Sequence, residues 1–437
     1  MRPLLTIILF WIAATLGGSA QTFTSYRTGR ATDTLTQPAG GICMMGGAAE
    51  EDTAMAWFLQ RARGGDVLVL RTTGGDGYNP YLYSTLGVGV HSVETIVFHQ
   101  AQAAAEPYVH KKIRAAEAIW LAGGDQWDYV SYWRGTAVDS LINQAVARRQ
   151  VVIGGTSAGM AILGGRYFSA ENGTVTSASA LADPYRPEVK IDSTPFLRLP
   201  YLRGVIPDTH YDNPDRKGRH AVFLARSLVD YGLPAKGIAC DEYTAVCIDS
   251  SGQARVFGQY PGYDDNAYFL QVNCERANPG PERCSPGNPL EWDRGGEALQ
   301  VYAVKGTPSG SNGFDVNEWD AGSGGVWEHW YVRNGVLMQA AGHRPQCSGL
   351  RGPTVPKSSF QLYPNPARER TSLRISRLMP RPERLEIRTA AGALIRQSPL
   401  QGRRQVNIPL RNLPRGVYVV RVDYSQGPGT TRKLVIK

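Results

Sequence analysis

A short glycine-rich segment, residues 155–159, follows the β-branched run 151–153 and precedes an apolar stretch. It fits the G-x-S-x-G pattern of a nucleophile elbow, with Ser157 at its centre. Glycines allow the sharp turn from strand to helix that exposes the serine hydroxyl at the carboxyl end of a sheet. The backbone N–H groups of Ser157 and Ala158 can then face a developing oxyanion. We therefore predict that Ser157 is a nucleophile.

A serine nucleophile needs a base, and the chain has seven histidines. His210 is the strongest candidate because it follows a short predicted strand and has carboxylates on both sides. A second interpretation stays open. Asp208, His210, Asp212 and Asp215 are residue types that bind metals, so they could form a metal cluster that does not involve the elbow.

The elements that must position these residues alternate between strand and helix. Such alternation predicts right-handed βαβ units, a parallel sheet and an α/β fold. Ligand sites in such sheets lie beyond the carboxyl ends of the strands, so three glycine-rich loops should meet at one crevice. These loops are residues 74–76, 123–126 and 155–159. Farther along, the pattern predicts one long helix at 127–149 and a hairpin at 237–248.

Composition divides the chain into parts. A basic start, an apolar run and a small-x-small ending predict a signal peptide at residues 1–20. A main domain at 21–348, a linker at 349–359 and an all-β domain at 360–437, which we expect to be a small sandwich, follow. No later stretch is long and apolar enough to cross a membrane.

The net charge of +9 comes from the C-terminal part of the chain. Residues 351–437 contain 18 basic and 4 acidic residues, whereas the rest contains 29 basic and 34 acidic ones. Aromatic residues are not interleaved with these basic ones, so we expect a solvated surface and no nucleic-acid partner.

Six cysteines without C-x-x-C spacing argue against a zinc ribbon. In an exported protein they suggest disulfides or buried thiols. Cys240/Cys247 and Cys274/Cys284 are each close enough in sequence to bridge a short loop, although spacing alone does not decide the pairing.

Three motifs together carry a resemblance to a known family. Residues 123–126 (Gly-Gly-Asp-Gln), the elbow at 155–159 and the pair Asp208-x-His210 resemble cyanophycinase and the related dipeptidase E group of serine peptidases. The resemblance extends over roughly residues 38–345. It implies a fold like that of class I glutamine amidotransferases, a serine nucleophile, no cofactor, and exopeptidase action on aspartyl peptides. The loop after His210 departs from the cyanophycin-degrading enzymes, which weakens any transfer of their substrate.

The same resemblance implies roles for further residues. Glu171, fourteen residues after the serine, would orient His210, with Asp183 as the alternative. The oxyanion hole would consist of the N–H groups of Gly124 and Ala158. Substrate would be bound by Gln126, Asp208, Arg216 and Arg219, the arginines holding a terminal or aspartyl carboxylate. Gln126 could instead cap the following helix, and we interpret Asp241-Glu242 as a packing and turn element.

The all-β tail carries a second resemblance. Residues 362–367, 416–418 and 433–437 look like a type IX secretion sorting domain. This implies handling by the type IX machinery, a secreted or cell-surface location, and loss of the tail after about Ser358 from a mature chain that begins near Gln21. Two other functions remain open: a non-catalytic surface-binding protein, and a lipase-like α/β-hydrolase, which would need its histidine much farther along the chain.

Overall fold

The computed structural model describes residues 21–192, 194, 196–232, 234–346, 360–375, 381–389, 393–424 and 430–436. The predicted signal peptide and linker lie outside these residues. The chain forms two compact units, one within residues 1–346 and the other within 347–437.

The first unit contains eighteen strands and eight α-helices among its described residues. The strands are β1 (Phe23–Gly29), β2 (Ile42–Met45), β3 (Asp66–Arg71), β4 (Ser92–Phe98), β5 (Ala118–Leu121), β6 (Val152–Thr156), β7 (Tyr167–Phe168), β8 (Ile191–Asp192), β9 (Val205–Asp208), β10 (Lys236–Cys240), β11 (Ala245–Ile248), β12 (Gln253–Phe257), β13 (Asn266–Val272), β14 (Leu299–Lys305), β15 (Asn312–Asp315), β16 (Gly322–Ser323), β17 (Gly325–Arg333) and β18 (Val336–Ala341). The helices are α1 (Asp52–Arg61), α2 (Tyr78–Pro80), α3 (Pro107–Ala115), α4 (Gln126–Trp133), α5 (Ala137–Arg149), α6 (Ala158–Ala161), α7 (Ser177–Ala182) and α8 (Lys217–Tyr231).

A ten-stranded sheet forms the centre of this unit, in the order β1-β4-β3-β5-β6-β2-β11-β12-β15-β16. The run from β4 to β2 is parallel, as the alternating pattern predicted, and antiparallel strands extend it on both sides. Successive side chains of a strand point to opposite faces. Accordingly, Leu68 and Leu70 of β3 pack with α3, α4 and α5, whereas Val67 and Val69 pack with α1. Burial on both faces explains the continuous apolar runs in these strands.

Two local predictions were wrong. The helix predicted at 127–149 is two helices, because Gly135 adopts a φ of +75° and Thr136 caps α5 by accepting from the N–H of Val138. The hairpin predicted at 237–248 does not exist. Its two strands enter different sheets: β11 joins the central sheet, and β10 joins a six-stranded sheet in the order β18-β17-β14-β13-β10-β9.

The cysteine pairs suggested by short spacing are also absent. Cys240, Cys247 and Cys284 are free thiols, as is Cys43, while Cys274 is disulfide-bonded. Within the part of the chain that the structure describes, no helix is long and apolar enough to cross a membrane.

The second unit is all-β, as predicted. Its strands are β19 (Phe360–Tyr363), β20 (Arg370–Ile375), β21 (Pro382–Thr389), β22 (Leu394–Pro399), β23 (Gln405–Pro409), β24 (Gly416–Tyr424) and β25 (Thr430–Ile436). They form sheets in the orders β19-β20-β23 and β22-β21-β24-β25. Side chains from both sheets form one apolar core of this unit.

Candidate active site

Strand β6 ends in a sharp turn at Ser157. This residue has a φ of 51° and a ψ of −117°, a backbone conformation that residues other than glycine rarely adopt. Helix α6 starts at the next residue. The flanking glycines leave no room for a side chain. A Cβ on Gly159 would lie 2.0 Å from the carbonyl oxygen of Leu121, and one on Gly155 would lie 2.6 Å from the backbone of Gly159. The motif therefore forms the tight strand-to-helix turn that its sequence predicted.

Three side chains form a continuous hydrogen-bonded chain at this turn. The Ser157 hydroxyl lies 2.8 Å from Nε2 of His210. On the other side of the ring, Nδ1 lies 2.6 Å from Oε1 of Glu242. A hydroxyl, an imidazole and a carboxylate in this order are the parts of an acyl-transfer triad.

Two parallel neighbours explain why His210 and Glu242 meet. Strands β9 and β10 pair in parallel, with Asp208 opposite Ala239, so their carboxyl ends lie side by side. His210 follows β9 by two residues, and Glu242 follows β10 by two residues. The chain leaves both strands at the same edge, and the two side chains meet there.

The loop after β2 fixes the position of the imidazole. His210 has a φ of 47°, and its backbone N–H donates to the carbonyl oxygen of Gly46 at 2.9 Å. Gly47 lies directly against the ring, because a Cβ there would come within 2.4 Å of Nε2. The φ of Gly47 is +123°, which also favours glycine. Gly46 therefore holds the backbone of His210, and Gly47 packs against its ring.

Glu242 is held by the loop that carries the histidine. Its backbone N–H donates to Oδ1 of Asp212 at 2.9 Å, and Nδ2 of Asn213 donates to its Oε2 at 3.4 Å. The hydrogen bond from His210 lowers the pKa of the Glu242 carboxyl, which outweighs the opposing effect of its partial burial. Glu242 is therefore ionised well into the acidic range.

The carboxylate beside His210 is thus not the one expected from the sequence. Glu171 forms an ion pair with Lys190 instead. The alternative, Asp183, accepts the backbone N–H groups of Tyr185 and Gly287. Glu242, interpreted from the sequence as a packing and turn residue, occupies the position assigned to Glu171. Topology explains this placement, since among the described strands β10 is the one that pairs in parallel with β9, and its carboxyl end lies beside that of β9.

The oxyanion expectation needs one correction. The backbone N–H of Ser157 donates to the carbonyl oxygen of Met45 at 3.1 Å, so it is already occupied. The 123–124 loop does lie against the elbow, because a Cβ on Gly123 would be 3.7 Å from Cβ of Ser157. The N–H groups of Gly124 and Ala158 remain the predicted oxyanion donors.

Asp208 and Arg219 do not line an open crevice. Both side chains are about 4 % exposed, and the guanidinium binds the carboxylate through Nε at 2.9 Å and Nη2 at 2.5 Å. Burial acts to raise the pKa of Asp208, but the positive charge of Arg219 outweighs it, and the pKa lies below its ordinary value. The predicted substrate contacts of these two residues were therefore wrong, because Asp208 and Arg219 form an ion pair that is buried in the first unit.

Arg216 and Gln126 lie differently. Arg216 is partly exposed at the start of α8, where its Nη1 donates to the carbonyl oxygen of Thr209 at 3.0 Å. Burial and the neighbouring Arg219 lower its pKa. Nε2 of Gln126 donates to the carbonyl oxygen of Phe168 at 3.3 Å, and Asp125, not Gln126, caps α4. Substrate binding by Arg216 and Gln126 stays a prediction.

The four residues that could have formed a metal cluster do not come together as a set of ligands. No group of three or more potential protein ligands comes together in the described ranges. Of the four candidates, Asp208 is engaged by Arg219, and both ring nitrogens of His210 are engaged by Ser157 and Glu242.

Comparison with family models finds a match in each of the two units. Residues 78–189 match the model of peptidase family S51. This segment contains Ser157 but ends before His210 and Glu242. Residues 361–437 match a secretion system C-terminal sorting domain, which indicates export.

Two curated relatives are the cyanophycinases of Trichormus variabilis and of a Nostoc species. Each is 27% identical over 172 residues, which is 39% of this chain and 52% of the relative. The chain thus matches about half the length of these relatives. The family match and these relatives support a peptidase.

Solved structures that resemble the chain include a peptidase from an acI-B1 actinobacterium, with a TM-score of 0.38 and 14% identity, covering 53% of this chain and 94% of that one. A proposed peptidase E protein from Listeria monocytogenes has a TM-score of 0.33 and 15% identity, covering 50% of this chain and 98% of that one.

Proposed function

We propose that this protein is an exported serine peptidase of the S51 type, with a fold like that of class I glutamine amidotransferases, in which Ser157 is the nucleophile, His210 the general base and Glu242 the residue that orients the base. The observation that carries this proposal is the unbroken chain of contacts from Ser157 Oγ to His210 Nε2 at 2.8 Å and from Nδ1 to Glu242 at 2.6 Å. The lengths suit proton transfer at one ring nitrogen and a charge-assisted hydrogen bond at the other.

In the acylation step, Oγ of Ser157 attacks the carbonyl carbon of the scissile peptide bond while Nε2 of His210 accepts the hydroxyl proton. Glu242 stabilises the imidazolium that forms. The N–H groups of Gly124 and Ala158 stabilise the oxyanion. Nε2 then returns the proton to the leaving amine, the C–N bond breaks, and an acyl-enzyme ester remains.

Deacylation repeats these roles with water as the nucleophile. Nε2 takes a proton from the water as its oxygen attacks the ester carbonyl, and returns the proton to Oγ when the acyl–oxygen bond breaks. The product is a free carboxylic acid, and Ser157 is restored.

For the substrate, we propose aspartyl peptides, either α-linked or isoaspartyl, cleaved from a free end. The support is the similarity to cyanophycinases and to peptidase family S51, together with the resemblance of the sequence motifs to the dipeptidase E group. The match at 361–437 supports type IX export to the cell surface or medium. We further propose that the mature enzyme begins near Gln21 and works without the tail, since the triad lies in the first unit.

A fluorophosphonate probe tests the nucleophile directly. The wild type should be labelled at Ser157, whereas Ser157→Ala and His210→Ala should not, and chelators should leave labelling unchanged. Absence of labelling in the wild type would contradict the serine mechanism and favour a non-catalytic binding protein.

A panel of dipeptides tests the substrate class. We expect turnover of α-aspartyl or isoaspartyl dipeptides by a protein of residues 21–346, equal to that of the full-length chain. Turnover of alanyl and glutamyl dipeptides at the same rate would contradict aspartyl specificity while leaving the serine mechanism standing.

A further inference from the structure

A cavity of about 400 Å³ lies between the start of α1 and the segment that follows β3. Two carboxylates, one guanidinium and two phenols line it. They belong to Glu50, Asp52, Arg71, Tyr78 and Tyr81. None of these residues takes part in the triad described above.

The walls of this cavity continue into the two loops that hold the catalytic groups. On one side, the chain runs from Gly47, which lies against the His210 ring, to Glu50. On the other side, Thr73 lies beside the oxyanion segment, because a Cβ on Gly124 would be 3.6 Å from its Oγ1. The cavity therefore lies at the carboxyl edge of the sheet, the edge that Ser157 also follows and at which ligands of parallel sheets bind.

Arg71 is the cation of this cavity. It ends β3, its Nη1 donates to the carbonyl oxygen of Gly75 at 3.1 Å, and its guanidinium lies over the ring of Tyr78, 5.7 Å from the centroid. Its Nε is buried without a hydrogen-bond partner, and no carboxylate of the described residues forms an ion pair with it. A partly buried guanidinium with no protein anion is suited to bind the carboxylate of a ligand.

The cavity also contains two carboxyl groups, and each accepts a hydrogen bond from a tyrosine hydroxyl. The Tyr78 hydroxyl donates to Glu50, and the Tyr81 hydroxyl donates to Asp52 at 2.7 Å. Burial and Glu50 raise the pKa of Tyr78, and burial, Asp52 and Glu50 raise the pKa of Tyr81, so both phenols remain donors. Each carboxylate has further lone pairs to offer an ammonium group.

We propose that this cavity is the subsite for an aspartyl residue with a free α-amino group: Arg71 binds its carboxylate, and Glu50 and Asp52 bind its ammonium. The substrate class rests on the proposed function. An α-aspartyl residue keeps its side-chain carboxylate, and an isoaspartyl residue keeps its α-carboxylate. Both therefore present one anion and one cation, which matches the charges of the cavity.

Binding to an inactive variant tests the subsite without relying on turnover. Calorimetry on Ser157→Ala should detect α-Asp-Ala or β-Asp-Ala. Adding Arg71→Met should weaken that binding at least tenfold, and Arg71→Lys should restore part of it. Arg148→Met is the matched control, because Arg148 is exposed at the end of α5, on the amino side of β6. Unchanged affinity in Arg71→Met, or no binding at all, would overturn the proposal.

A second variant decides the case in which Arg71→Met does not fold. Glu50→Gln keeps an acceptor for the Tyr78 hydroxyl but removes the charge. In the Ser157→Ala background, it should reduce the ratio of the affinity for Asp-Ala to the affinity for N-acetyl-Asp-Ala at least fivefold. An unchanged ratio would contradict the ammonium site. The experiments distinguish failure of the subsite from failure of the proposed peptidase function. Turnover that depends on Ser157 but is unchanged in the Arg71 and Glu50 variants would contradict the subsite and leave the peptidase function supported. Binding that depends on Arg71, in a protein whose wild type shows no turnover, would support the subsite and contradict the peptidase function.

Discussion

Replacing Glu242 by Gln is the most direct test of the triad, because the change keeps the shape of the side chain and removes its charge. The hydrogen bond from Nδ1 of His210, at 2.6 Å, is charge-assisted, and such bonds contribute about 1.5–3 kcal/mol. That range alone corresponds to a loss of roughly 10- to 150-fold in rate.

The amide adds a second effect, because its NH₂ group can donate to Nδ1. The ring would then carry its proton on Nε2, where it cannot accept the proton of Ser157. In a serine protease the comparable change lowers kcat by about 10⁴. We therefore expect Glu242→Gln to lower kcat by about 10²–10⁴, with little change in KM, since Glu242 contacts the base and not the substrate.

The assay is kcat and KM on the best aspartyl dipeptide, with Glu171→Gln as the matched control. Glu171 pairs with Lys190 away from His210, so its substitution should change kcat less than threefold. Because His210 lowers the pKa of Glu242, protonation of this carboxylate should reduce activity only at a more acidic pH than that at which an ordinary glutamate is protonated. The reasoning is refuted if Glu242→Gln retains a third of wild-type kcat, or if Glu171→Gln loses most of it.

Three further predictions concern the support of the site. Gly47→Ala should lower kcat at least 100-fold with little change in the circular dichroism spectrum, because its Cβ would displace His210; wild-type kinetics would contradict this packing. Asp208→Asn should lower the free energy of unfolding in urea by about 3–5 kcal/mol, since Arg219 would be buried without its anion. The wild-type pair should stabilise the fold above about pH 4 and lose that contribution as pH falls through the lowered pKa of Asp208; a loss under 1 kcal/mol would contradict it. Burial raises the pKa of Asp241 to about 7, so its contribution to stability is lost as pH rises from about 4 through 7. Asp241→Asn should flatten that part of the stability curve, and an unchanged curve would exclude this residue as its source.

The sequence allowed the central sheet and the elbow to be predicted because both depend on local signals. Residues such as Val67–Leu70 form a strand buried on both faces, which produces a continuous apolar run. The turn at Ser157 needs small neighbours wherever it occurs, so its glycines are visible without knowledge of tertiary structure.

The partner of His210 could not be predicted in the same way, because it depends on which strands are neighbours. Residues 237–248 have the pattern of a hairpin, yet β10 and β11 join different sheets. A signal was present: Asp241 and Glu242 follow an apolar strand, as His210 does. Parallel pairing of β9 with β10 would have placed Glu242 beside the imidazole, but the hairpin interpretation concealed it.

The assignment of Arg219 failed for a related reason. Its position nine residues after His210 placed it near the site but did not reveal its direction. It lies on the buried side of α8, where its Nε and Nη2 donate to Asp208 and its Nη1 donates to the carbonyl oxygen of Val175. A buried arginine paired in this way cannot also bind a substrate without leaving Asp208 unpaired, which would cost several kcal/mol.

The triad is assembled from the two larger sheets of the first unit, and backbone hydrogen bonds between the segments that leave these sheets support it. Ser157 and the Gly46–Gly47 turn follow strands of the central sheet, whereas His210 and Glu242 follow strands of the six-stranded sheet. Three backbone hydrogen bonds join these groups: His210 N–H to Gly46, Tyr243 N–H to Gly47, and Gly46 N–H to Thr244. These bonds hold the backbone of the two sheets together beside the triad, so the side chains of Ser157 and His210 project from fixed positions. Substitutions at Gly46 or Gly47 should therefore impair catalysis although neither residue has a side chain to contribute.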